Sequence, residues 1–195
     1  MSIAKRSDVP SDGQAVVSEG LSDLRFGFED LAGGAVVNIR EPLPVYALRL
    51  DGIEGPNFLK NAYLVGWRYL VGPGSYLSYA DVRTEGGSSE FISLTSSDAG
   101  VKLTAAAEMA QSLANKAADD CEARVLDIPA LKLSVIWLTL VPPLFITYID
   151  GWHQTPEPSI FEGKHFIGEV LHRAEAVRSE TQGARRNGNH SMEAQ

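Results

Sequence analysis

Cysteine is nearly missing from this chain of 195 residues, where Cys121 stands alone. One thiol closes no internal disulfide and offers no Cys-Cys spacing for structural zinc, so packing and hydrogen bonds must hold the fold, and a reducing compartment, the cytoplasm, is the expected setting. Basic charge is also scarce. The 17 Lys and Arg are outnumbered by 25 Asp and Glu, and the net charge of −8 repels phosphate backbones and anionic lipid. Arg185-Arg186 is the only basic cluster and has no interleaved aromatic residues to stack bases, so no nucleic-acid partner is expected. Long apolar runs are lacking too. The charge-free stretch from Leu133 to Ile149 is broken by Pro142-Pro143 and is rich in strand formers such as Val135, Ile136, Trp137, Ile146 and Tyr148. It reads as two strands of a buried hairpin rather than a membrane span. Lys5 and Arg6 precede no apolar run, so a secretory signal is not expected.

What is present is globular. Hydrophobic residues make up 44% and charged residues 22%, enough apolar surface to build a core. Residues 1–20 and 179–195 are polar and read as flexible tails around a single α+β domain at 21–178. Leu21, Leu24, Phe28 and Leu31 have the spacing of a short helix, and Pro44 to Ile53 alternates as a strand. Tyr63 to Val71 alternates as a second strand, Gly72-Pro73-Gly74 turns the chain, and "SYLSYADVR" and "EFISLT" complete a meander around Gly86-Gly87. Ser97 or Asp98 then caps a helix whose buried stripe is Leu103, Ala106, Ala110, Leu113, Ala114 and Ala117. Small residues on that stripe let the helix approach a sheet closely. Arg124 to Leu140 is read as one extended strand with a bulge at Pro129, followed by Leu144 to Tyr148. Ser159-Ile160-Phe161-Glu162 has the capping-box pattern, which predicts a last helix over Ile160 to Val177 with Ile167, Val170, Leu171, Ala174 and Val177 on its apolar side.

This succession predicts an α+β two-layer sandwich: a curved antiparallel sheet packed on the Ala-rich helix, with a peripheral C-terminal helix. The layout resembles cystatin-like cones in architecture, a likeness that implies no activity.

Few residues suggest chemistry. Asp150-Gly151-Trp152-His153 ends a strand, where His153 could serve as a base with Asp150 as its orienting acid, although a plain strand-ending turn uses the same residues. Glu162, His165, Glu169 and His172 form two Glu-x-x-His pairs at spacings of three, four and three, a donor set for a metal only if a two-fold partner helix completes it. They lie opposite the apolar stripe, as a solvated helix face would. Tyr63, Trp67, Tyr69, Tyr76 and Tyr79 gather in one hairpin as binding anchors or as core. Cys121 sits beside Asp119-Asp120, which disfavours a thiolate, and the glycine pairs lack the lysine and helix of a phosphate loop.

No cofactor is implied. The function expected is a non-catalytic interaction or self-associating module with a protein partner or a second copy. The long strand carries apolar residues on both sides, Leu131, Leu133, Val135 and Trp137 against Ile136, Leu138 and Leu140, and requires a second layer or a second subunit. Ile136, Leu138, Trp152, Trp67 and Tyr69 are the expected contact residues. The alternatives are a small enzyme or binder of a small apolar ligand in a helix-sheet pocket at His153 and Asp150, and a dimer bridged by metal through the Glu/His face.

Overall fold

The computed structural model describes residues 9–24, 38–72, 78–96, 98–117, 120–153 and 157–190, with the backbone alone at 96 and 182–190. In chain order these residues form α1 (Gly13–Leu24), β1 (Asn38–Ile39), β2 (Leu43–Ala47), β3 (Tyr63–Gly72), β4 (Ser78–Glu85), β5 (Ser88–Ser96), α2 (Asp98–Lys116), β6 (Ala123–Ile128), β7 (Leu133–Leu138), β8 (Leu144–Asp150), β9 (Ser159–Glu162) and α3 (Gly163–His190). One sheet runs β5-β4-β3-β2-β6-β7-β8-β9, and β1 adds to the end of β3. Neighbours are antiparallel throughout except β2 and β6, which are parallel. The sheet therefore consists of two four-stranded meanders, each followed by a helix, joined at a parallel seam.

Side-chain alternation assigns the layers. Val125, Ile136 and Ile146 pack with Leu103, Ala106, Ala110 and Ala114 of α2. The intervening Leu126, Val135 and Phe145 pack with Phe166, Val170 and Ala174 of α3 on the opposite face. On that same face α1 sets Val17 and Leu21 against Trp67, Tyr69, Ala80 and Val82. The expected α+β class, the antiparallel sheet on an Ala-rich helix and the C-terminal helix are all present. The layering goes further than a sheet curled around one helix, because α1 and α3 cover the second face. The two-sided apolar strand finds its second layer within the chain.

Several boundaries differ from the sequence reading for identifiable reasons. The strand expected to reach Ile53 stops at Ala47, and Leu50–Gly52 forms a short 3-10 turn. Pro129 is no bulge: it opens the 3-10 turn Pro129–Leu131, and with Lys132 at φ 49° the chain reverses into the β6–β7 hairpin. Proline suits that first position because the missing N–H is not needed there. The capping-box residues become β9, paired with β8 from Leu144–Glu162 to Thr147–Ser159, and the helix starts at Gly163. Ladder bonds to a neighbouring strand override the local capping signal. Residues 13–20, expected to be tail, belong to α1 and bury Val17, while α3 continues past 178 to His190. Phe28, Leu31, Pro73, Gly74 and Tyr76 lie outside the described residues. Gly86 and Gly87, at φ 60° and 86°, make the two-residue turn between β4 and β5 that demands positive φ twice.

Ile136 is fully buried beneath α2, whereas Ile160 on β9 is exposed. Ile136→Ala should lose about 2–5 kcal/mol in urea unfolding, and Ile160→Ala should stay within about 0.5 kcal/mol. Equal losses would mean that α2 does not seal this face.

Candidate functional site

At the end of β8 the structure brings His153 and Asp150 together with a residue the sequence reading missed, Arg173 of α3. Both Asp150 oxygens accept from Arg173, from Nη1 at 2.7 Å and Nη2 at 3.0 Å, and Nε of Arg173 donates to Glu169 at 2.7 Å. Arg173 and Asp150 are buried, and the guanidinium lies 5.7 Å from the Trp152 ring centre. His153 is 60% exposed; its Nδ1 is 3.0 Å from Arg173 Nη2 and 3.3 Å from Asp150 Oδ2. A guanidinium only donates, so in the shorter contact Nδ1 is the acceptor and the ring proton sits on Nε2. A carboxylate that orients a histidine base needs the reverse, a proton on the facing nitrogen. Burial pushes the Asp150 carboxyl up, but the Arg173 hydrogen bonds and charge, aided by the Trp152 amide, more than reverse this and hold it below its ordinary value. The arrangement is an ion pair that ties the strand end to α3.

The other sequence candidates are dispersed. Glu162 belongs to β9, His165 lies edge-on to Phe161, Glu169 is engaged by Arg173 and His172 is exposed. Among the described residues no three His, Cys, Asp or Glu side chains converge as metal ligands would. Ile136, Leu138, Trp67 and Tyr69 are buried inside the molecule, beneath α2 or α1, so they cannot meet a partner; Trp152 is exposed. Burial raises the Cys121 thiol, with Asp120 adding to the effect, so the thiol stays protonated.

A second polar cluster was equally invisible in the sequence. Arg68 of β3 is buried on the α2 face and donates to Asp81 at 2.7 and 3.0 Å, to Asp127 at 3.2 Å and to the Tyr148 hydroxyl at 2.6 Å. Its guanidinium also lies 4.3 Å from the Tyr79 ring centre. Tyr148 is the extra residue where the β7–β8 register slips by one, a bulge that redirects its side chain. These groups clasp β3, β4, β6 and β8, and one buried Asp127 oxygen is left without a partner.

The remaining feature is an opening in the sheet. β3 begins at Tyr63 but pairs with β4 only from Trp67 to Val71. Among the described residues no strand pairs with Tyr63–Gly66 on that side. A one-residue slip against β2 leaves Val65 as an extra residue, and a slip between β4 and β5 leaves Ile92. Bulges bend and twist their strands, and beyond Val82 the β4–β5 hairpin departs from β3. Gly66 marks the parting point, where a side chain would strike the Val82 carbonyl oxygen. Tyr63, Leu64 and Val65 are 42%, 41% and 38% exposed, whereas the other exposed large apolar residues in the described structure stand singly. Tyr63 also lines an open depression of about 340 Å³, together with Arg49, Asp51, Gly52 and Asn61 of the segment that joins β2 to β3. Its wall is braced: Arg49 Nε donates to the Tyr63 hydroxyl at 3.1 Å, Asn61 to the Gly52 carbonyl at 2.8 Å, and Arg178 of α3 to the carbonyls of Leu50 and Ile53 at 2.6 and 2.9 Å.

No protein-family model matches this chain, and no curated protein or solved structure is significantly similar to it. Among the described residues no helix is long and apolar enough to cross a membrane.

Two measurements test the polar clusters. Asp150 has a folded pKa below its unfolded value, so its contribution to stability is present above the unfolded pKa of about 3.9 and is lost as pH falls through the folded one. Asp150→Asn should therefore be less stable at pH 6 and should lose less further stability between pH 4 and pH 2 than the wild type; parallel acid limbs in urea titrations would refute this. Arg68→Met strands two partly exposed carboxylates and should cost about 2–3 kcal/mol, somewhat less than a fully buried broken pair. A change below about 0.5 kcal/mol, the level of an ordinary surface substitution, would show that the clasp is dispensable.

Proposed function

We propose that this chain is a non-catalytic interaction module that takes an extended segment of a partner protein onto the open side of β3. The observation that carries the reading is the pairing of Tyr63–Gly66 on the β2 side alone, coupled to three consecutive exposed apolar side chains. Unpaired strand backbone supplies a row of donors and acceptors, and adjacent apolar side chains add area and selectivity. The enzyme or ligand-pocket reading has less support, since Asp150 is committed to Arg173 and His153 turns an acceptor nitrogen toward that cation. Contact through a sheet face has none, because helices from the same chain occupy both faces. The net charge of −8 opposes close approach of a second copy and favours a partner segment that is neutral or basic.

The test is selection of random heptapeptides, displayed both internally and at free C-termini, on the wild type and on Leu64→Glu/Val65→Glu, whose altered positions are exposed and should leave the melting temperature unchanged. Peptides alternating in β-branched and aromatic residues should enrich on the wild type and not on the variant. Equal enrichment on both proteins, or none on either, overturns strand addition at β3. Sedimentation of both proteins detects a second copy as the occupant: a wild-type dimer that the variant loses would replace the heterologous partner with self-association.

A further inference from the structure

We infer that the segment enters the opening as a strand flanked on both sides, bonding β4 as well as β3, and that it comes from an unstructured stretch of the partner. The inference rests on the strand-addition reading and adds the mode of pairing and the kind of partner. β4 stays a strand as far as Glu85, which still pairs with Ser88 of β5, although its ladder with β3 ends at Val82. The end of that ladder therefore frees backbone on both strands.

Hydrogen bonds on the far sides of both strands identify the freed residues. Pairs along an antiparallel ladder alternate between bonded pairs, whose amides and carbonyls point at each other, and open pairs, whose groups point outward. The Ser89 amide leaves the hairpin to bond Asp12 at 3.3 Å, so Thr84–Ser89 is an open pair, and Thr84 turns its amide and carbonyl to the β3 side. The Leu48 amide donates to the Asp127 carbonyl of β6 at 3.0 Å, so by alternation Tyr46 also faces β6 rather than β3. Its pair with Leu64 is then open, and Leu64 turns its amide and carbonyl away from β2, into the opening. Leu64 and Thr84 thus each offer a donor and an acceptor to the opening, and no described strand takes them. Successive residues of an extended segment point their backbone groups to opposite sides, so one residue bonds Leu64 and its neighbour bonds Thr84. The edge strand of a folded sheet spends one side on its own neighbour and cannot bond both; an isolated extended segment can. Because β3 and β4 are antiparallel, the segment runs parallel to one of them in either direction.

The experiment takes peptides enriched in the selection above, labels them with an N-terminal fluorophore and methylates one backbone nitrogen at a time. Binding is followed by anisotropy on the wild type and on Thr84→Pro, in which proline removes the amide that faces the opening and leaves the bonds of β4 to β5 in place. Methylation at either of two adjacent central residues should weaken binding at least about fivefold, the scale of one hydrogen bond. Thr84→Pro, at an unchanged melting temperature, should weaken the unmethylated peptide by a similar factor. Sensitivity at alternate residues only would overturn insertion and leave addition to β3 alone standing, and the scan decides this even if Thr84→Pro unfolds the hairpin. A folded Thr84→Pro that binds like the wild type would overturn insertion as well. Binding that no methylation weakens would overturn both readings.

Discussion

Three parallel residue pairs, Val45 with Val125, Tyr46 with Leu126 and Ala47 with Asp127, join the two halves of the sheet. Every other strand contact links meander neighbours or the short β1, so the continuity of the structure depends on this seam. Parallel ladders are slightly weaker per residue than antiparallel ones. Side chains reinforce it on both faces. Arg68 reaches from β3 over the seam to Asp127 on β6 and Tyr148 on β8. On the other face Arg124 of β6 lies 5.0 Å from the ring centres of both Tyr46 on β2 and Trp137 on β7, held by Glu122 at 2.6 and 2.8 Å. An apolar helix then seals each side, and the sheet tolerates apolar residues in both directions because α2 and α3 cover opposite faces.

The same sheet treats its free backbone unevenly. On β5 the Ser89 amide and hydroxyl both donate to Asp12, at 3.3 and 2.6 Å, so the start of α1 occupies part of that edge. β9 is only four residues long, a length that offers little template to another chain. The first residues of β3 have neither protection. Beyond Val82 the β4–β5 hairpin no longer pairs with them, bulges at Val65 and Ile92 interrupt the ladders on either side, and apolar side chains are left at the opening. This stretch of unpaired backbone lies inside the sheet, between β2 and the end of the β3–β4 ladder, rather than on an outer edge.

The cluster at the end of β8 shows how much a third residue changes the meaning of two. Asp150 and His153 taken alone suggest an acid and a base. With Arg173 between them, the acid is neutralised by a bidentate pair and the histidine presents its lone pair to a cation. Arg173 lies 20 positions from His153 on a helix, and its role cannot be inferred from local spacing.

Local periodicity determined what depends on neighbours in sequence. The Ala stripe of α2 from Leu103 to Ala114, the two-sided alternation of β7 and the apolar side of α3 follow from side-chain spacing at 3.6 or 2 residues, and the Gly-Gly turn from the positive φ that glycine tolerates. Tertiary structure decided what depends on distant partners. β9 is a strand because β8 offers it a ladder, α1 starts early because Trp67 and Tyr69 need cover, and Ile136 and Leu138 are core because α2 lies on them. The opening at Tyr63–Val65 exists only because β4 stops pairing at Val82, and alternation along the strand left Tyr63 readable either as a binding anchor or as core. Alternation states that a residue faces one side of a sheet; whether anything is packed there is fixed by contacts between segments far apart in the chain.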